Sequence, residues 1–139
     1  MEVNYLTILA CGVLAMVVGA IWYSPILFGN VWMRINKMSM PRPEEMAKQQ
    51  KEMIPTYIIQ FIMTLTLVYV LAHFVKGWSD VSGVTAALWV WLGFVVPTIA
   101  SSVLWTNESS KDKFARFVVQ AGYNLVLFVA FGYILGVWG

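Results

Sequence analysis

The chain has 139 residues, of which 60% are hydrophobic and 12% charged, with a formal net charge of +2. A soluble domain carries about twice that charged fraction, so the composition argues against a water-soluble fold and for a membrane protein. The slight basic excess argues against nucleic-acid binding, and Cys11, alone in an apolar run, excludes an intrachain disulfide.

Tyr5 to Ser24 is an uncharged run of 20 residues, long enough to cross about 30 Å of hydrocarbon at about 1.5 Å per residue. The segment before it carries Glu2 instead of a basic cluster and the run exceeds a signal-peptide core, so a retained first helix is expected. It closes in Trp22-Tyr23-Ser24-Pro25, where a membrane helix meets water. Residues 25–53 gather half of the charged residues of the chain. Leu27, Phe28, Val31, Trp32, Ile35 and Met38 recur at helical spacing, which predicts a short interfacial helix in this first cytoplasmic loop. Pro43-Glu44-Glu45 then reads as a second helix start.

Ile54 to His73, Ser82 to Trp105 and Phe114 to Trp138 supply three further spans, the last with only Arg116 near its start. His73 has no Cys or carboxylate at ligand spacing, so no metal site is expected. The fold class is thus all-α, a single integral membrane bundle of four transmembrane helices. The polar segment 106–113 is short and makes the third and fourth spans antiparallel neighbours.

Eight of the nine Lys and Arg residues flank the first and third loops and one, Lys76, lies on the other side. The positive-inside rule then puts both termini outside the cytoplasm of a bacterial inner membrane, with the long loop inside.

With the spans placed, Gly19-Ala20, Trp22-Tyr23-Ser24-Pro25, Phe28-Gly29 and Trp32, followed by Trp91-x-Gly93-Phe94, Leu104-Trp105 and Ala121-Gly122-Tyr123, resemble a bacterial membrane family called domain of unknown function 1761. The resemblance covers essentially the whole chain. It implies a small integral membrane protein of about four helices and brings no catalytic residue or substrate.

No Asp, Glu, Lys or His lies centrally in a span, which argues against proton-coupled export. Uncharged polar residues do occur at depth: Gln60 with Thr64 on one face, and Gln120 with Asn124 on another. Pro97 should kink the third span and free the carbonyl of Gly93, with Asn124 as its donor and Gln120 left for Tyr23 or Ser24. Trp89 and Trp91 lie near mid-span, so the third helix is expected to face protein along much of its length. A candidate ligand site therefore gathers Trp22, Tyr23, Ser24, Trp105, Asn107, Gln120 and Asn124 at the cytoplasmic side. Gly12, Gly19, Gly83, Ala87, Gly132 and Gly136 are candidate close-packing positions, together with Pro97, and the glycine pair of the fourth span is a candidate for self-association.

No nucleophile and base pair, metal cluster or phosphate loop is visible, so neither enzymatic activity nor a cofactor is expected. The expected role is a non-enzymatic helix-packing or assembly protein among membrane lipids, as a homo-oligomer or with another membrane protein. The alternative is a channel or facilitator for a small neutral or lipid-like molecule.

Overall fold

The computed structural model describes residues 3–39 and 41–139; Glu2, used above to read the first span as retained, lies outside them. Every regular element among the described residues is helical, and four helices are long and apolar enough to cross a membrane.

Helix α1 (Tyr5–Trp22) begins at Asn4, whose side-chain oxygen accepts from the N–H groups of Leu6 and Thr7. Its amide nitrogen donates to the carbonyl of Trp138, tying the two ends of the chain together. The helix stops at Trp22 because Ser24 bends the chain: its hydroxyl donates to the Ile21 carbonyl at 2.6 Å, and the N–H of Gly29 donates to the Ser24 carbonyl at 2.9 Å. A Cβ on Gly29 would lie 2.6 Å from that carbonyl oxygen, so the turn requires glycine.

The predicted loop helix is present as α2 (Gly29–Ile35), and Lys37 ends the segment with φ 54°. Pro43 opens α3 (Pro43–Glu52), with Glu44 and Glu45 at its positive end and Lys51 in its last turn. This helix buries no residue and passes through Met53 directly into α4 (Ile54–Gly77). Helix α4 runs four residues beyond His73, because Lys76 suits the negative end of a helix dipole and so does not terminate it.

The third span is one continuous helix in three parts: α5 (Gly83–Val90), a π-helical turn (Trp91–Val95) and α6 (Val96–Leu104). Pro97 lacks an N–H and its ring crowds the carbonyl four residues back. The chain responds with a widened turn just before the proline, in which the Val96 N–H reaches back five residues to Trp91. The Thr98 hydroxyl donates to the Phe94 carbonyl, supplying a partner to backbone beside the break.

Helix α7 (Ser110–Trp138) starts four residues before the expected Phe114, at the N-cap Ser109, whose hydroxyl accepts from the Asp112 N–H. It is the central helix and packs against α1, α2, α4, α5 and α6. The core gathers Cys11 and Ala15 from α1, Val68, Leu71 and Ala72 from α4, Ala86 and Ala87 from α5, and Phe128 and Phe131 from α7. It lies in the half of the bundle nearer the chain termini. Toward the charged loops α4 separates from its neighbours, and every residue from Ile54 to Gln60 is exposed.

Two expectations about packing change. The third span does not face protein along its length: Trp89 is 57% exposed and Leu92 and Phe94 are exposed too, whereas Ala86, Ala87 and Val103 are its buried residues. The reason is that α5 meets α7 through its smallest residues, which turns the bulky ones outward. The glycines of the fourth span are also engaged inside the chain. A Cβ on Gly132 would sit 2.5 Å from the Gly83 carbonyl oxygen and 2.8 Å from the Ala87 Cβ, and one on Gly136 would lie 3.3 Å from the Gly83 Cα. That face is filled by α5 and offers no room to a second copy.

Candidate functional site

Where α4 leaves the bundle, a groove of about 710 Å³ opens between α1 and α4, with α7 contributing Tyr123. On α1, Ala15, Met16, Gly19 and Ala20 line it, and the three small residues among them leave the space. On α4, Tyr57 and Gln60 face it from positions one turn apart. Tyr23, just after the end of α1, completes the lining. The Tyr123 hydroxyl donates to the Ala15 carbonyl at 3.2 Å and would lie 3.0 Å from a Cβ on Gly19. The Gln60 amide nitrogen donates to the Thr64 hydroxyl at 3.2 Å, and that hydroxyl donates to the Gln60 backbone carbonyl at 2.9 Å. The remaining capacity of the amide, including its carbonyl oxygen, is left to the groove. Three phenols and one amide thus edge an otherwise apolar slot, and no charged side chain lines it.

An aromatic cluster holds the loop end of the groove in shape. The ring centroid of Tyr23 lies 5.4 Å from that of Tyr123 and 5.1 Å from that of Trp32, both edge-on. Trp22 packs on Phe28 at 4.7 Å and donates its indole N–H to the Val119 carbonyl at 3.0 Å. The guanidinium of Arg116 lies 5.2 Å from the Trp32 ring centroid, donates to Glu108 at 2.8 Å and to the Asn36 side-chain oxygen at 3.0 Å. A more exposed pair, Arg34 with Asp112 at 3.0 Å, adds a second tie between α2 and α7.

Of the residues expected to form a site, Trp22 and Tyr23 come together around Tyr123. Ser24 is turned back into its own backbone. Trp105 is 87% exposed and Asn107 is exposed on the loop, away from the groove. Asn124 donates to the backbone carbonyl of Gln120 at 2.9 Å and not to Gly93, which sits in the π-helical turn with open space where a Cβ would be. The expected link from Asn124 to the proline break is therefore absent, because the widened turn rearranges the ladder that Pro97 interrupts. Gln120 and Asn124 continue the stripe of Leu127 and Phe131 toward the loops and remain partly exposed there. Tyr57 and Tyr123 went unassigned to a site from sequence, although the i, i+3 spacing of Tyr57 and Gln60 and the Gly122-Tyr123 pair were there to be read.

Comparison with curated proteins and with solved structures gives no match. The family model described as protein of unknown function, DUF1761, matches residues 6–136, and the chain belongs to that family.

Proposed function

We propose that the protein is a non-enzymatic, multi-pass membrane protein that takes a neutral, lipid-like amphiphile into the groove between α1 and α4 and serves as its binder or facilitator. The observation that carries this reading is the lining itself: a largely apolar slot whose polar residues are Tyr23, Tyr57, Tyr123 and Gln60, without a charge. Such a lining matches a ligand with hydroxyl, ester or carbonyl groups at one end and hydrocarbon at the other. A charged headgroup would be left unpaired there and would resist entry. The bias of basic residues toward the loop end supports placing that end, and with it the groove, in the cytoplasmic leaflet of a bacterial inner membrane.

The test is native mass spectrometry of the protein in neutral detergent, titrated with dioleoylglycerol. Ala20→Trp, which fills the slot from its exposed rim, should lose the bound lipid, whereas Val17→Trp on the same helix outside the lining should keep it. Equal retention by Ala20→Trp and the parent, or no retention by the parent, would overturn the reading.

A second reading, assembly with another copy or another membrane protein, is favoured by the loop-side half of α4, where Ile54, Ile58, Ile59 and Ile62 are all half-exposed or more. Ile58→Cys in a Cys11→Ala background should then form a disulfide-linked dimer or a cross-link to a partner in membranes. A solely monomeric species would remove it.

A further inference from the structure

A second cavity has the opposite electrical character. It holds about 430 Å³ at the loop-side corner between α6 and α7, away from the groove and lined by none of its residues. Its walls are Ala100, Val103 and Leu104 from α6 and Phe114 and Phe117 from α7, an apolar trough. At its polar end stand the Ser110 hydroxyl and the Lys113 ammonium. Lys113 is held there by donating to the Leu104 carbonyl at 2.9 Å, the last residue of α6. An ammonium has three protons, so two remain for a ligand.

The surrounding charge is sorted by pairing. The two acids of this loop are both engaged by arginines, Glu108 with Arg116 at 2.8 Å and Asp112 with Arg34 at 3.0 Å. Lys111 and Lys113 therefore set the local field. Trp105, 87% exposed beside the same corner of the chain, is the kind of side chain that sits at headgroup level. A fixed cation at one end of an apolar trough, at the edge of a membrane span, is complementary to an anionic phospholipid: phosphate on Lys113 and Ser110, one acyl chain along Ala100 and Phe117.

The geometry points to a structural site for an anionic phospholipid at the corner of α6 and α7, held by Lys113. It is independent of the groove and requires only that the four helices lie in a bilayer. The experiment presents the purified protein in neutral detergent with equal amounts of palmitoyl-oleoyl phosphatidylglycerol and phosphatidylcholine and counts bound lipids by native mass spectrometry. The parent should favour phosphatidylglycerol. Lys113→Gln should weaken that preference about five-fold, the effect of one lysine at a membrane surface, while Lys113→Arg restores it and Lys48→Gln in α3 leaves it intact. Ala100→Phe, which fills the trough and keeps the charge, should also lose the bound lipid. Circular dichroism melts of each variant separate lost binding from lost folding. A preference unchanged in a folded Lys113→Gln protein, or lost equally in Lys48→Gln, overturns the site; a preference that survives Ala100→Phe overturns the seating of the acyl chain.

Discussion

Replacing Gly132 by alanine adds one methyl group at the closest approach of two helices. That methyl would stand 2.5 Å from the Gly83 carbonyl oxygen, 2.8 Å from the Ala87 Cβ and 2.9 Å from the Val84 Cα. All three obstacles are backbone or Cβ atoms, so no rotamer change can make way. Normal contact requires about 3.5 Å or more between such atoms, and α5 must therefore move off α7 by roughly 1 Å. Overpacking of a well-filled interface costs about 1 to 3 kcal/mol, and the rigidity of the obstacles places Gly132→Ala in the upper half of that range. Gly12→Ala is the internal comparison: its methyl would meet Leu65 Cδ2 at 2.7 Å and the ring of Phe61 at 3.0 Å. Those are side-chain ends that can rotate, so the loss should be about 1 kcal/mol or less. At Gly93 nothing lies within 4 Å, and alanine there should be neutral or mildly stabilising through helix propensity. Thermal unfolding in detergent, followed by tryptophan fluorescence, should rank the variants Gly132→Ala, Gly12→Ala, Gly93→Ala from least to most stable. Combining Gly83→Ala with Gly132→Ala should cost less than the sum of the two, since one separation of the helices accommodates both. A Gly132→Ala protein as stable as the parent, or less perturbed than Gly12→Ala, would refute the account of this contact.

Arg116→Met should cost about 1.5 to 3 kcal/mol, because its partner Glu108 is only 22% exposed and would keep an unpaired charge; hydrogen exchange should rise over 29–35 as α2 loosens. Arg34→Gln, from a pair exposed to 54% and 31%, should cost less than about 1 kcal/mol in the same melts. Trp22→Phe and Trp91→Phe each delete an indole donor to an α7 carbonyl, Val119 and Ala121 respectively, and should each lose about 1 kcal/mol with little change in fold. In a Cys11→Ala background, Lys48→Cys should be shielded from an impermeant thiol reagent in intact cells and Ser79→Cys should react; the reverse pattern would invert the orientation drawn from the basic residues.

The four apolar helices were legible because the signal for them is an absence of charge over enough residues to cross hydrocarbon. The same signal misplaces helix ends. Lys76 and Asp112 stop the hydrophobic run but not the helix, since each sits in a terminal turn where the dipole suits its charge. Tryptophan at mid-span misled in a different way. Trp91 does find a buried acceptor, but Trp89 points outward, and composition alone cannot distinguish a ring that needs protein from one that rests in lipid. At the groove, Tyr23 follows from the motif that closes α1; the spacing of Tyr57 with Gln60 and the Gly122-Tyr123 pair are also in the sequence, but that they edge one space with Tyr23 depends on the divergence of α4. Divergence is a property of which faces do not pack, and no local pattern records it. The close contact of Gly83 with Gly132 was half legible: the small residues were identified, but a small-residue stripe does not say whether its partner is in the same chain.

The bundle is built like a pair of tongs. Gly83, Ala87 and Gly132 rivet one end, where the large side chains Leu71, Phe128 and Phe131 are sealed from solvent. At the other end α1, α2 and α7 are fastened to one another by the rings of Trp22, Tyr23 and Tyr123 and by the Arg116 contacts, whereas α4 begins there with a run of exposed residues, and α3, which buries nothing, continues from it like a handle. Ile54 to Gln60 are exposed while Val68, Leu71 and Ala72 further along the same helix are buried, so the wall of the slot that carries Tyr57 and Gln60 is held by its own helix and hardly at all by core contacts of its own. The slot thus has one wall fixed to the core and one that stands clear of it, and the segment that stands clear is the one continued by α3.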